Sequence, residues 1–161
     1  MRHAVVVGGL GVIGRYLIEH LTTSGDWKVT GLSRRRPDFE TPAQFISVDL
    51  LDRADAEQKL ARLADATHIF YCAFQPRPSW AEHNAPNLAM LVNAVEPIAA
   101  ASSALEHVHL VEGNKIYGSH LGPYKTPAKE TDPPHMLPNF YWDQERWLRT
   151  FQDGQPWTWS A

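Results

Sequence analysis

Cysteine occurs once in the 161 residues, as Cys72, so no disulfide can form within one chain and a reducing, cytoplasmic setting is expected. Charge of one sign is equally scarce. Fifteen Lys and Arg against 18 Asp and Glu leave a net −3, and the longest basic block is Arg34-Arg35-Arg36. Nucleic acid and membrane surfaces are therefore not expected as partners. No apolar run is long enough to cross a bilayer, and the short N-terminal one leads into glycines rather than a cleavage site, so no leader is expected. The eight histidines lack metal-ligand spacing: His107 and His109 share one strand with no third partner, and no metal site is expected. Repeats and low-complexity tracts are missing too. What remains is an ordinary globular composition, 43% hydrophobic and 20% charged, at a length that suits one domain.

What is present is concentrated at the start. Met1 to Val7 is a short β-branched run that ends in Gly8-Gly9-Leu10-Gly11-Val12-Ile13-Gly14, and the amphipathic stretch from Arg15 to Leu21 follows at once. A buried strand turning through glycines into a helix is the setting in which bare backbone approaches a pyrophosphate resting on the helix N-terminus. Two registers fit, Gly9-x-Gly11-x-x-Gly14 and Gly8-x-x-Gly11-x-x-Gly14. The second resembles the turn of short-chain dehydrogenase/reductases. Gly8, Gly9, Gly11, Val12, Ile13 and Gly14 are thus candidate cofactor contacts.

Strand and helix patterns then alternate. Strands are expected at 27–33, 44–49, 67–73 and 107–111, with a stub of a sixth from Pro156 to Ser160. Helices are expected at 54–63, at 84–101 with Asn84 as cap and a kink or break at Pro97, and from Phe140 to about Phe151 with Asn139 as cap. Residues 113–138 carry five prolines and three glycines and read as a long, lid-like loop. This rhythm predicts an α/β fold, a doubly wound parallel sheet of the Rossmann-like, NAD(P)-binding kind.

An NAD-preferring Rossmann domain ends its second strand in Asp or Glu, which bonds the ribose 2′-hydroxyl. Here Ser33 stands there, followed by Arg34, Arg35 and Arg36. Guanidinium groups offer paired, charge-assisted bonds to a 2′-phosphate, so NADPH is the expected cofactor, with Ser33, Arg34 and Arg35 as its contacts. Asp49, with Leu50 beside it, is placed either to meet the adenine or to cap the helix after Leu51.

Catalytic candidates come later. No tyrosine is followed by lysine four residues on, the pair that short-chain dehydrogenases usually carry on one helix. Two other segments stand out: Glu112-Gly113-Asn114-Lys115-Ile116-Tyr117-Gly118 and Asn139-Phe140-Tyr141-Trp142-Asp143-Gln144-Glu145. They resemble the Thr-Gly-x-Lys-x-Tyr and Asn-Phe-Tyr-Tyr-x-x-Glu stretches of the progesterone 5β-reductase and iridoid synthase family, an atypical branch of the short-chain dehydrogenase/reductases. The resemblance extends to Trp27–Gly31 with Ser33–Arg35, Thr67–Tyr71, Gly122-Pro123, Asp132-Pro133-Pro134 and Trp157–Ser160, and so runs along essentially the whole chain. It implies NADPH-dependent 1,4-reduction of an enone or enal, a small-molecule substrate, with Lys115 and Tyr141 at the catalytic positions. An ammonium beside that phenol would add charge stabilisation and make it a better acid. Glu112 in place of threonine is expected to pair with Lys115, and Trp142 in place of the second tyrosine to narrow the pocket or pack on the substrate.

Members of that family run to about twice this length, so the resemblance implies that a substrate lobe follows residue 161. The 161 residues alone are expected to bind NADPH weakly, to self-associate as a homodimer through an open sheet edge or exposed tryptophans, and to reduce enones near background. Two other functions fit the same turn. One is an NAD-dependent epimerase or dehydratase of the extended short-chain group, which the missing Tyr-x-x-x-Lys disfavours. The other is a non-catalytic NADP(H)-binding or redox-sensing module, which the retention of Lys115 and Tyr141 disfavours.

Overall fold

The computed structural model of the chain describes residues 1–133 and 135–161; Pro134, part of one stretch of the resemblance, lies outside the described residues. Six parallel strands form one sheet: β1 (Arg2–Val7), β2 (Trp27–Ser33), β3 (Gln44–Ser47), β4 (His68–Tyr71), β5 (His107–Leu110) and β6 (Thr158–Ser160). Their order is β3-β2-β1-β4-β5-β6, the doubly wound arrangement expected from the alternating elements. The order reverses between β1 and β4, so the crevice beyond the carboxyl ends of these strands is where a ligand is to be sought. Strands β3 to β6 are each shorter than their hydrophobic runs, although Val48 still donates its backbone N–H to the Ser33 carbonyl.

Alternation along β1 divides the core. Val5 and Val7 face a layer built from α2 (Arg53–Leu60), α3 (Asn84–Ala101) and α4 (Phe140–Gln152), together with Ile69, Tyr71, Val108 and Leu110. Ala4 and Val6 face the other way, onto Ile18 and Leu21 of α1 (Val12–Ser24) and Val29 of β2. Beyond α1 this second face carries rings: His68 stacks on Phe70 with centroids 6.3 Å apart, and His107 and His109 both bond Ser160 Oγ at 2.9 Å. Underneath, buried His3 bonds Thr30 Oγ1 at 2.8 Å and Asp65 Oδ1 at 2.9 Å. Burial lowers the pKa of His3, His68, His107 and His109, so the fold favours their neutral form.

Two expectations about α3 need correction. Asn84 does not cap it: a 3₁₀ turn (Ala81–His83) feeds into the helix, and the Asn84 amide is committed to the Asp143 carboxylate on α4. Pro97 neither breaks nor splits the helix, which runs unbroken through 18 residues. Proline in a helix interior costs about 3 kcal/mol in isolation. Burial of eight α3 residues, Pro97 among them, between the sheet and α4 outweighs that cost.

Candidate cofactor cleft and catalytic residues

The turn after β1 is built so that no side chain intrudes. Gly8 sits at φ +83, and a Cβ there would come within 2.8 Å of Ala73 Cα, two residues beyond β4. A Cβ on Gly14 would overlap the Gly8 carbonyl oxygen, so the first turn of α1 packs directly on the loop. Gly8 and Gly9 both donate N–H to the Leu32 carbonyl at 3.0 Å, which ties the loop to β2. Gly11 occupies the N-cap of α1 without any side-chain cap, which leaves first-turn amides available to an anion.

This turn forms one wall of a cleft of about 720 Å³, lined by Gly8, Gly11, Val12 and Ile13, by Ser33, Arg34 and Arg35 after β2, and by Asp49 and Leu50 after β3. Nine of the eleven cofactor candidates thus converge on one cavity. Gly9 and Gly14 do not line it but shape the turn that does. Arg34 and Arg35 are exposed at its mouth and make no ion pair among the described residues. No carboxylate ends β2. Asp52, not Asp49, caps α2, accepting from the Asp55 N–H. Asp49 instead folds onto Leu51 N–H at 3.0 Å in the cleft wall. Cys72, Ala73, Phe74, Gln75 and Met90 also line it; no motif marks them, because tertiary folding alone brings them there.

Lys115 and Tyr141 lie outside this cleft, at its β4 end. The connection is aromatic: Phe74 on the rim stacks on Phe140 at 5.3 Å, and Phe140 meets the Tyr141 ring at 4.1 Å. Lys115 stands in a 3₁₀ turn (Asn114–Tyr117), its ammonium 5.3 Å from the centre of the Trp80 ring. Asn139 joins the two segments, as its side-chain oxygen accepts from Tyr141 N–H at 3.2 Å while its NH₂ donates to the Lys115 carbonyl at 2.9 Å. Asn139 is therefore both the expected helix cap and a clamp on the 3₁₀ turn, a second role that sequence did not reveal.

The Tyr141 hydroxyl lies over Gly113, where an added Cβ would stand 3.5 Å from it. Burial and then the Glu112 carboxyl raise the Tyr141 pKa, so the phenol is a weaker acid than free tyrosine, the opposite of what an ammonium alone would do. Glu112 is not paired with Lys115. Its Oε1 is buried without a hydrogen-bond partner among the described residues, and burial, aided by Glu145, pushes its carboxyl up to about 8. Trp142 does not enter the cofactor cleft; its indole N–H donates to the Ile116 carbonyl at 3.1 Å.

These shifts predict a stability maximum near neutral pH. Below about 6.5 the unfolded chain takes up protons on histidines that the fold keeps neutral, so stability falls with pH. Glu112 has the reverse sign: its raised pKa contributes stability below the ordinary glutamate range, and that contribution is lost as pH climbs to about 8. Urea midpoints should peak between these limits, and a midpoint rising steadily from pH 6 to 8.5 would contradict the assignments.

Among the described residues no helix is long and apolar enough to cross a membrane, and no group of acidic, histidine or cysteine side chains could hold a metal ion. The NAD dependent epimerase/dehydratase family profile matches residues 4–141. The chain is 37% identical to an (S)-8-oxocitronellyl enol synthase of Nepeta racemosa over 98% of its own length and 44% of that protein's. It is 36% identical to a 3-oxo-Δ(4,5)-steroid 5β-reductase of Arabidopsis thaliana over 88% and 40% of the two chains. A short chain dehydrogenase of Penicillium aethiopicum is 32% identical over 98% and 45%. The chain thus spans less than half the length of the curated relatives it matches. Among solved structures, a UDP-glucose 4-epimerase of Thermus thermophilus with NAD superposes with a TM-score of 0.77 at 24% identity, over 98% of this chain and 53% of that one, a likeness of fold.

Proposed function

The chain belongs to the NAD dependent epimerase/dehydratase family, and from that premise we propose that it binds NADPH and serves the reduction of an activated carbon–carbon double bond in a small enone or enal. The relatives support the reaction: one is named for a steroid 5β-reductase whose substrate is a conjugated 3-ketone, another for an enol synthase. The observation that carries the cofactor reading is the cleft mouth, where Arg34 and Arg35 make no ion pair among the described residues and no carboxylate ends β2. The cradle fits a dinucleotide. Gly8 and Gly14 exclude side chains where a pyrophosphate approaches, and the uncapped start of α1 offers amides to it. Ser33, Arg34 and Arg35 would hold the 2′-phosphate, and Asp49 and Leu50 would flank the adenine.

When bound, NADPH supplies hydride. The residues supply the rest. The Tyr141 hydroxyl would stabilise the negative charge that gathers on the substrate oxygen during 1,4-reduction. Its raised pKa keeps it protonated throughout the physiological range. Lys115 adds positive charge from the adjacent 3₁₀ turn, and Asn139 fixes the spacing of the two segments. The missing Tyr-x-x-x-Lys pair weighs against epimerase chemistry. In the protein at its full natural length, cyclohexenone should accelerate NADPH oxidation and yield cyclohexanone. Reduction of the carbonyl to an allylic alcohol instead would overturn the reading.

A further inference from the structure

Trp80 lies in no motif and has no part in the reaction so far, yet its ring meets both segments of the proposed catalytic pair. It directly precedes the 3₁₀ turn Ala81–His83, and its carbonyl accepts from His83 N–H at 3.2 Å, which ties its backbone to that turn. Its ring lies 5.4 Å from that of Phe140, the residue before Tyr141 in α4. Lys115 brings its ammonium to 5.3 Å from the centre of the same ring. That is inside the limit of about 6 Å at which a cation is drawn to an aromatic face. Two imidazoles brace the indole: His83 meets it edge-on at 5.2 Å, and His120 lies against it at 3.9 Å with 35° between the planes. Burial, and then the Lys115 charge, lower the His120 pKa, so this imidazole sets no second charge beside the ammonium. Among the described residues Lys115 makes no ion pair, with Glu112 or any other carboxylate. An indole thus holds a cation that no carboxylate holds.

We propose that Trp80 is a positioning residue for the reduction: by cation–π attraction it holds the Lys115 ammonium against a ring that also packs on Phe140, and so fixes where that charge stands relative to Tyr141. This rests on the reading of Lys115 as the charge that supports Tyr141. The Asn139 clamp, with its bonds of 2.9 Å to the Lys115 carbonyl and 3.2 Å to Tyr141 N–H, sets the two backbones but leaves the lysine side chain free to turn. A lysine carries its charge on a flexible four-carbon stem, so an unanchored ammonium spreads over many positions. Trp80 supplies the missing constraint. Tryptophan is the strongest aromatic partner for a cation, phenylalanine a weaker one, and an aliphatic side chain offers no such attraction.

The test uses the protein at its full natural length. Trp80→Leu should lower the kcat of cyclohexenone reduction by about threefold to tenfold and leave KM for NADPH unchanged. The loss should depend on the lysine: in a Lys115→Ala background, Trp80→Leu should cost no more than about a further 1.5-fold. An equal loss in both backgrounds would make Trp80 a packing residue and overturn the proposal, as would undiminished turnover in Trp80→Leu. Trp80→Phe, which keeps an aromatic face, should retain roughly half of the native kcat or more. A loss as large as that of Trp80→Leu would overturn the cation–π account. Trp80→Met, apolar and unbranched, takes the place of the leucine variant if that one does not fold. A second readout needs no turnover. With carbon-13-labelled lysine, the Lys115 Cε–H resonance, identified by its loss in Lys115→Ala, should be shielded by the Trp80 ring and move toward the free-lysine position in Trp80→Leu. A free-lysine position in the unaltered protein would overturn the contact. Absence of enone turnover in the unaltered protein would overturn the assigned reaction and with it the role of Trp80, while a shielded resonance would show that the contact itself stands.

Discussion

Tyr141→Phe is expected to lower enone reduction by about 10²-fold or more while changing NADPH affinity by no more than about twofold. The asymmetry follows from position. Tyr141 stands in the first turn of α4 and lies outside the cleft that holds the nucleotide candidates, joined to it through Phe140 and Phe74. Loss of the hydroxyl leaves the ring, its 4.1 Å packing on Phe140 and the Asn139 bond to its backbone unaltered. What disappears is the hydroxyl proposed to stabilise the charge that develops on the substrate oxygen. Lys115→Ala should cost less, because its ammonium rests against Trp80 and acts at a distance. Steady-state NADPH oxidation with a small enone, at the protein's full natural length, measures both. Turnover in Tyr141→Phe equal to that of the unaltered protein would remove this residue from the mechanism.

The cofactor cleft was legible in the sequence because its parts are local. A strand, a turn that tolerates no Cβ at Gly8 or Gly14 and a helix are contiguous in the chain, and Ser33 to Arg35 follow β2 directly. The β-branched run up to Val7 likewise suggested a buried strand, and Val5 and Ala4 are indeed buried on opposite faces of the sheet. What stayed hidden depends on partners distant in sequence. Asn84 looks like a helix cap until α4 places Asp143 beside it, and Pro97 looks like a break until its packing is known. Glu112 beside Lys115 suggests an ion pair from proximity in the chain. The 3₁₀ turn carries the lysine to Trp80, and burial leaves the carboxyl neutral. Asp49 was open between two roles; the geometry gives the cap to Asp52.

The second large effect concerns the cofactor. Replacing Arg34 and Arg35 together by alanine should weaken NADPH binding by about tenfold to a hundredfold, the scale of lost charge-assisted bonds, and leave NADH binding nearly unchanged. Neither side chain makes an ion pair among the described residues, so their removal should spare the fold and report on the ligand alone. The contrast should shrink with salt, since both groups are exposed. Titration of the 161-residue chain and this double variant with NADPH and with NADH, followed by cofactor fluorescence, is the most direct test that this cleft is an NADPH site. The account predicts tighter binding of NADPH than NADH by the unaltered chain, and near-equal binding of the two by the variant. Equal affinities in the unaltered chain, or parallel losses for both cofactors in the variant, would contradict it.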